Sequence, residues 1–485
     1  MKILRMNEFK KMKPTLLGSS FKKKNFLTAC KVAVLFATFF VVGCGGQGTG
    51  ELTGVEGRRP WFHPQPLGMV YVKSGTFHTG QRDQDVFNSY IAPNKQVSID
   101  GFWMDETEIT NNEYRQFVYF VIDSTARFMV DEDILFNIND EEDTRFINYD
   151  EELDWEKYKD ELEDMFYAPD ERWRRKKTID TRKLFYEYVW NDMKSAATSK
   201  KNQNKYEQSD KKYKNFVHRS TWFKRERTLI YPDTLCWVRD FTYSYNEPMA
   251  RHYYNHAKYD DYPVVGINWH MAKAFSAWRT ERRKSYWERY RQELTEDFRL
   301  PTEYEWEYAA TGGRNSNMYP WGGPYTRNSK GCMLANFKPL RGNYGADGGI
   351  KTVRVDSYFP NDFGLYNMAG NVAEWTSSFY AEASAYHSHD LNPDIQVDVP
   401  EYNKSYKNKS KENEQVDYDG IALDENGNEY TMTRKRKVIR GGSWKDIAYF
   451  IQCGSRAYEY QDTAKSYIGF RNVQSYIGRS NKDRK

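Results

Sequence analysis

The stretch that decides the fold is residues 361–375, NDFGLYNMAGNVAEW. Its glycines, Gly364 and Gly370, permit backbone angles that other residues adopt only at a cost. Asn367 and Glu374 place side-chain oxygens at close spacing, as a hard cation such as calcium requires. The same residues are typical of a packed loop whose Asn and Glu side chains only hydrogen-bond to backbone groups. The spacing by itself favours this second interpretation.

Seven further blocks follow a fixed order around this stretch. They are GTFHTG at 75–80, VSIDGFWMDETEITNNEYRQF at 97–117, PVVGINWHMAKAFSAW at 263–278, RLPTEYEWEYAATGG at 299–313, YPWG at 319–322, RGGSW at 440–444 and IGFR at 468–471. Together with 361–375, they resemble the formylglycine-generating-enzyme-like (sulfatase-modifying factor) family over most of residues 68–475. The resemblance implies a loop-rich α+β domain with a C-type-lectin-like fold. It is weaker evidence of activity, because one fold hosts many functions.

The amino-terminal region has the pattern of a bacterial lipoprotein signal. Three lysines at 22–24 precede a largely apolar run at 26–42, and Val-Val-Gly-Cys at 41–44 resembles a lipobox. We therefore expect a signal peptide at 1–43, a lipidated Cys44 and a glycine-rich tether at 44–67. The alternative is a retained membrane anchor with an incidental cysteine. The cysteine lies where the apolar run meets the glycines, which favours the lipoprotein.

Composition excludes some function classes. The 485 residues carry a formal net charge of +4, so charge gives no indication of a nucleic-acid partner. An aromatic content of 16% argues against global disorder. Besides Cys30 in the signal and Cys44, three cysteines remain, namely Cys236, Cys332 and Cys453. They cannot all pair, and no two have metal-ligand spacing.

Local patterns predict several elements of the domain. Residues 69–72 and 97–99 are typical of strands. Thr110 with Glu113 three residues later indicates a capped helix start. The buried face of this helix should comprise Tyr114, Phe117, Val118 and Val121. We also expect a cap at Thr302, a helix that continues from 271 through the charged residues 279–292, and close backbone packing at the glycines of RGGSW.

Two insertions are expected within residues 68–475. The first, at 122–262, is long and strongly charged, and residues 151–167 and 181–193 are read as amphipathic helices, so we expect it to be mostly helical. It is either a solvated excursion or an interaction surface rich in Tyr, Trp and Arg. The second insertion, at 381–436, is polar and expected to be flexible. A basic tail at 476–485 follows.

The resemblance implies two calcium sites. The ligands of the first site would be Asn367, Gly370, Val372 and Glu374. The ligands of the second site would be Asn336, Phe337, Asp347 and Gly349. Both sets combine side-chain and carbonyl oxygens, which suits Ca²⁺.

Catalytic residues of the family are missing. Family enzymes that oxidise a substrate cysteine carry two cysteines after RGGS that bind copper(I), whereas Asp446 and Ile451 stand there in this sequence. Cys453 by itself does not make a thiolate pair, so no copper is expected. His252 and His256 share a helical spacing, but without a third ligand nearby they are more typical of structural histidines. We expect no enzyme activity.

The combination of a lipobox, this domain without its cysteines and a long insertion resembles gliding-motility and type IX secretion lipoproteins of the GldK/PorK type. The resemblance implies a non-enzymatic structural subunit that is lipid-anchored to the outer membrane and faces the periplasm. It would self-associate in a ring with a GldN/PorN-like partner. Deleting residues 131–250 should then abolish partner binding while the core stays folded. The alternatives are a metal-dependent oxidase or sulfur-transfer enzyme of the same family and a glycan-binding module.

Overall fold

The computed structural model describes residues 62–478 except 82–92, 140–143, 149, 194–221, 244–246, 290–294, 315–316, 340–342, 347, 381–387 and 394–435. The described residues belong to one compact unit, which begins at Phe62. The signal peptide and Cys44 lie outside the described residues, as does most of the second insertion. Within the described part, no helix is both long and apolar enough to cross a membrane.

The described chain contains both helices and strands, which confirms mixed helix and strand content. The strands are β1 (Met69–Val72), β2 (Gly75–Thr79), β3 (Lys95–Ile99), β4 (Phe102–Asp105), β5 (Phe136–Asn139), β6 (Thr144–Ile147), β7 (Phe185–Asn191), β8 (Phe223–Leu229), β9 (Phe298–Arg299), β10 (Ala373–Phe379), β11 (Arg436–Arg440), β12 (Ala457–Tyr460), β13 (Ile468–Gly469) and β14 (Val473–Ser475). The helices are α1 (Asn111–Val130), α2 (Cys236–Asp240), α3 (Met249–His252), α4 (Trp269–Arg289) and α5 (Glu303–Ala310).

Two four-stranded sheets organise the described body. The first has the order β1-β4-β14-β9, so its middle strands come from opposite ends of the sequence. The second has the order β12-β11-β10-β13. In it, Glu374 on β10 lies opposite Arg440 of antiparallel β11 and Gly469 of parallel β13. This register holds 361–375, RGGSW and IGFR side by side.

Helix α1 begins as its sequence predicts. The Thr110 hydroxyl accepts from the backbone N–H of Glu113 at 3.2 Å, and the Glu113 carboxylate accepts from the backbone N–H of Thr110 at 2.8 Å. This is a complete capping box, and the four predicted apolar residues are buried. Tyr114 stacks on Phe275 of α4 with ring centroids 5.6 Å apart. Thr302 caps α5 in the same way.

The prediction of a mostly helical first insertion is wrong. Residues 181–193 contain the strand β7, whose residues alternate between exposed and buried and which pairs with β8 in an antiparallel hairpin. Residues 151–167 form turns and one short 3₁₀ segment, Glu163–Met165. A second hairpin joins β5 to β6. The side chains of β7 alternate between its two faces, which places aromatic side chains on one of them.

Part of the insertion belongs to the main core. Leu184, Tyr186 and Ile230 are buried in the cluster that contains Phe117 of α1. The Tyr114 hydroxyl also donates to the Ile230 carbonyl at 2.8 Å. Deleting residues 131–250 would remove these contacts, so the structure contradicts the expectation that the core would stay intact.

The body extends further towards the amino terminus than Gly68. His63 is buried, its ring stacks on Tyr476 at 5.3 Å, and its Nδ1 accepts from the backbone N–H of Ile477 at 3.1 Å. The last residues before the expected domain start thus pack on β14 and the residues that follow it.

Candidate functional site

The loop 361–375 is shaped by residues in the left-handed region. Asn367 and Asn371 have φ of 50° and 59°, and Gly370 has φ of 79°. A Cβ on Gly370 would lie 2.3 Å from the carbonyl oxygen of Asn336. The position therefore requires glycine both for its angle and for its contact with the loop around Asn336.

The loop surrounds one buried carboxyl group, Glu108. Asn367 Nδ2 donates to it at 3.0 Å, and Asn371 Nδ2 donates to both of its oxygens at 3.0 and 3.1 Å. Burial raises the pKa of Glu108 to about 8, and the nearby charge of Glu374 adds to this effect. Arg471 and the two amides act in the opposite direction.

Glu374 forms a buried ion pair with Arg471. Arg471 Nη2 lies 2.6 Å from Glu374 Oε1, and Nε lies 2.7 Å from Oε2. Trp306 Nε1 also donates to Oε2 at 2.7 Å. The Arg471 Nη2 and Nη1 groups reach the carbonyls of Tyr366 and Asp105. Both charged groups are fully buried, and their hydrogen-bonding capacity is directed to protein partners.

The second predicted calcium set lies beside the first. Asn336 accepts from the backbone N–H of Asn371 at 2.8 Å, and its Nδ2 donates to the Lys351 carbonyl at 2.8 Å. A Cβ on Gly349 would lie 3.4 Å from Asn336 Nδ2. Phe337 is buried in the neighbouring cluster. Asp347 lies outside the described residues.

A cation in this loop would have to use donors that are not already engaged. The Glu374 oxygens bind Arg471 and Trp306, and the raised pKa of Glu108 leaves that group mostly uncharged near neutral pH. Within the described residues, no cluster of three or more His, Cys, Asp or Glu side chains could hold a metal ion. The first set would therefore rely on Asn oxygens and on the Gly370 and Val372 carbonyls, and calcium binding stays a prediction.

The RGGSW turn packs as its glycines predict. Gly441 and Gly442 have φ of 90° and 63°. A Cβ on Gly441 would lie 3.0 Å from the buried ring of Trp306. Arg440 donates to Glu303 and Glu307 of α5 at 2.5 and 2.9 Å, which fixes the turn to that helix.

The two positions expected to carry thiols have structural roles. The Asp446 carboxylate accepts from the backbone N–H of Ser443 at 2.9 Å and from its hydroxyl at 2.6 Å. Ile451 is fully buried. Cys453 is a buried thiol, and Cys236 and Cys332 are free cysteines. In the part of the chain that is described, no cysteine pair is available for a soft metal.

The paired histidines contact each other and the backbone. His252 and His256 have ring centroids 6.1 Å apart, and His256 Nδ1 accepts from the backbone N–H of Lys258 at 3.0 Å. This supports the interpretation of structural histidines.

Sequence reasoning missed the partners of the central carboxylates. Glu108 and Arg471 lie within blocks of the family resemblance and have no predicted role of their own. Glu374 and Arg471 are 97 positions apart, and no local pattern links them. The order of the matching blocks along the sequence was the signal that could have indicated these contacts, because blocks that belong to one fold lie close together in it.

Comparisons with known proteins agree with the resemblance. The family model described as "Sulfatase-modifying factor enzyme 1-like domain" matches residues 62–476. An inactive C-alpha-formylglycine-generating enzyme 2 from Bos taurus is 37% identical over 124 residues, which cover 25% of this chain and 35% of that protein. The formylglycine-generating enzyme of Mus musculus is 29% identical over 224 residues, 45% of each chain. The chain thus spans less than half the length of both relatives.

Among solved structures, PvdO from Pseudomonas aeruginosa is similar with a TM-score of 0.38 and 16% identity. The alignment covers 84% of this chain and 94% of that one.

Proposed function

Because the chain belongs to the sulfatase-modifying factor enzyme 1-like family, we propose that it is a member that keeps the fold without the cysteine-oxidising chemistry. The observation that carries this proposal is the use of Asp446 as a turn cap and of Ile451 as a core residue. A carboxylate and an alkyl group cannot replace two thiolates as copper(I) ligands. A relative named as inactive supports the idea that such members exist in the family.

The experiment is a direct test for oxidation of a cysteine peptide. The purified full chain is incubated with copper(I), oxygen and a cysteine-containing peptide, and the peptide is analysed by mass spectrometry. We expect the peptide to keep its thiol, whereas a formylglycine-generating enzyme run in parallel converts it to the aldehyde. Conversion at a comparable rate would instead support the alternative of a metal-dependent oxidase.

As a structural protein, the chain would be a lipid-anchored subunit of a type IX secretion or gliding-motility ring. Cys44 would carry the lipid and hold the chain to the outer membrane on the periplasmic side. Ring neighbours would be further copies of the chain and a GldN/PorN-like partner, because head-to-tail contacts that close generate rings. Loss of palmitate labelling in a Cys44→Ala variant is the expected result for the anchor.

The outer face of the β7–β8 hairpin is the surface that best supports such contacts. Four apolar residues of this hairpin are more than one third exposed, and they are Phe185, Val189, Phe223 and Leu229. Arg225 and Glu187 form an exposed ion pair on the same face. Apolar groups with nearby charges are typical of protein interfaces.

A double substitution tests this surface without removing core residues. Val189→Glu with Phe223→Glu should abolish co-purification of the GldN/PorN-like partner, because two charges would be buried in the contact. The matched control is Ile350→Glu, at an exposed apolar residue outside the insertion. Partner retention by the double variant at the level of the control would contradict the proposed surface.

A further inference from the structure

A cavity of about 560 Å³ lies between the β7–β8 hairpin and the start of α4. Its aromatic walls come from three elements, with Trp190 on β7, Trp269 on α4 and Phe379 on β10. Three lysines, Lys224, Lys273 and Lys437, also line it. This volume is in the usual range for sites that bind small molecules. The cavity is lined by aromatic rings and cations, whereas the loop site described above is built around buried carboxyl groups.

The single carboxylate of this cavity, among its described lining residues, is already engaged. Glu226 accepts from the Tyr188 hydroxyl at 2.6 Å, from Trp190 Nε1 at 2.7 Å and from Lys273 Nζ at 2.8 Å. Its charge therefore balances Lys273. Lys437 remains as a second cation that Glu226 does not contact.

Lys437 is 3% exposed, and its ammonium lies between two ring faces. Its Nζ is 3.9 Å from the centroid of Trp269 and 3.7 Å from that of Phe379. The contacts of this nitrogen are with these two ring faces, and Glu226 acts on it through charge. Burial lowers the pKa of Lys437 to about 7, and the charge of Lys273 adds to this effect. A largely buried ammonium that faces aromatic rings is costly, and an anion in the cavity would offset that cost.

We propose that this cavity binds a small carboxylate-bearing ligand, with the Lys437 ammonium contacting the carboxylate and the aromatic walls contacting an apolar body. A free small molecule fits better than a protein segment, because the cavity volume is in the usual range for small ligands. The hairpin that forms one wall belongs to the first insertion, so the site depends on a part of the chain that the blocks of the family resemblance do not include.

The charged groups around Lys437 make its affinity for anions dependent on pH. Those that face it or line the cavity are Lys273 and His270 on α4, and Lys224, Glu226 and Arg227 on β8. Lys224 pairs with Asp192 at 2.9 Å, and His270 lies 3.5 Å from Asp462. Burial also lowers the pKa of His270, so it adds positive charge only at the acidic end of the range. Loss of the Lys437 proton is the change expected between pH 6 and pH 8.5.

Benzoate is a suitable probe, with the uncharged benzamide as its matched control. Binding to the purified full chain is followed by calorimetry and by the fluorescence of the tryptophans in the cavity wall. We expect saturable benzoate binding in the millimolar range at pH 6, weaker by about tenfold at pH 8.5, where Lys437 is mostly neutral. Benzamide should bind weakly at both pH values. Equal binding of the two probes, or no saturable binding of benzoate at pH 6, would overturn the proposal.

Substitution of Lys437 is the second part of the benzoate experiment. Lys437→Met should lower benzoate affinity by about tenfold at pH 6 and remove its pH dependence. The control is Lys258→Met, at an exposed lysine that packs near Tyr259 and does not line the cavity. Unchanged affinity in Lys437→Met would refute the assignment, and if that variant does not fold, the comparison of benzoate with benzamide across pH in the wild type decides.

Discussion

At the scale of single residues, Arg471 connects the most distant parts of the site. Its guanidinium binds Glu374 of the loop and donates to the carbonyl of Asp105 on β4. A buried pair of this kind gains little over apolar residues, but removing one partner leaves the other charge unpaired. The stability of the site therefore depends on keeping both members.

We predict that Arg471→Met lowers the free energy of unfolding by about 3–5 kcal/mol. Urea denaturation followed by circular dichroism measures this change. The control is Arg225→Met, which breaks a solvent-exposed ion pair with Glu187 and should change stability little. Equal effects of the two substitutions would show that the buried pair has no special role.

Gly370 gives a second prediction at this scale. Gly370→Ala should destabilise the protein more than Gly331→Ala does, although the two glycines have similar φ of 79° and 82°. At Gly331 a Cβ would meet nothing within 4 Å, so only the backbone angle is strained, by about 1–2 kcal/mol. At Gly370 it would collide with a backbone carbonyl. Thermal unfolding of the two variants gives the comparison, and equal shifts in Tm would exclude the contact as a cause.

At the scale of elements, local signals predicted the capped helices and failed in the insertion. Thr110 and Thr302 determine helix starts through residues three positions away, so the sequence shows them directly. The strand β7 is short, and its alternation of exposed and buried residues covers only seven positions. Its partner β8 begins more than thirty residues later, and such a pairing leaves no local trace.

The same distinction applies to the candidate site. Asn367 and Glu374 could be named from one loop, because their spacing lies within a single stretch. Glu108 and Arg471 could not, because their roles arise only when β4, β10 and the chain after β13 come together. The cavity around Lys437 was missed for the same reason, since its walls combine the insertion with residues of α4, β10 and β11.

Strand β11 provides a pH-dependent prediction through Lys437. Its pKa is about 7 in the folded protein and near 10.4 in the unfolded chain, so the unfolded chain binds more protons between these values. The free energy of unfolding should therefore rise with pH from about 7 to about 10 through this group. Below pH 7 both states carry the proton, and the contribution is lost.

The variant Lys437→Met isolates this effect from that of other titrating groups. Its stability advantage over the wild type should be largest at pH 6 and should shrink as the pH rises to 9. Parallel urea titrations at several pH values measure the difference. A difference that stays constant with pH would mean that Lys437 keeps its ordinary pKa in the folded protein.

At the scale of the whole molecule, the loop site connects both sheets. Residues 361–375 lead into β10 of the second sheet, and Arg471 and Glu108 join them to the segments that follow β13 and β4. A cation bound by this loop would therefore stabilise the body as a unit. A rigid body of this kind suits a subunit whose proposed role is to hold neighbours in a ring.

Calcium should therefore raise the temperature of unfolding of the full chain, and chelation with EGTA should lower it. A ligand at 100 times its dissociation constant stabilises the folded state by about 2.7 kcal/mol. The calcium-dependent shift in Tm should be absent in Asn367→Ala, which loses a side-chain oxygen of the first predicted set. The shift is compared rather than the absolute Tm, because this variant also loses its hydrogen bond to Glu108. Magnesium should not replace calcium, since it requires smaller and more regular coordination. If EGTA leaves the Tm of the wild type unchanged after calcium has been added, the loop is held by its protein hydrogen bonds and by the ion pair of Arg471 with Glu374.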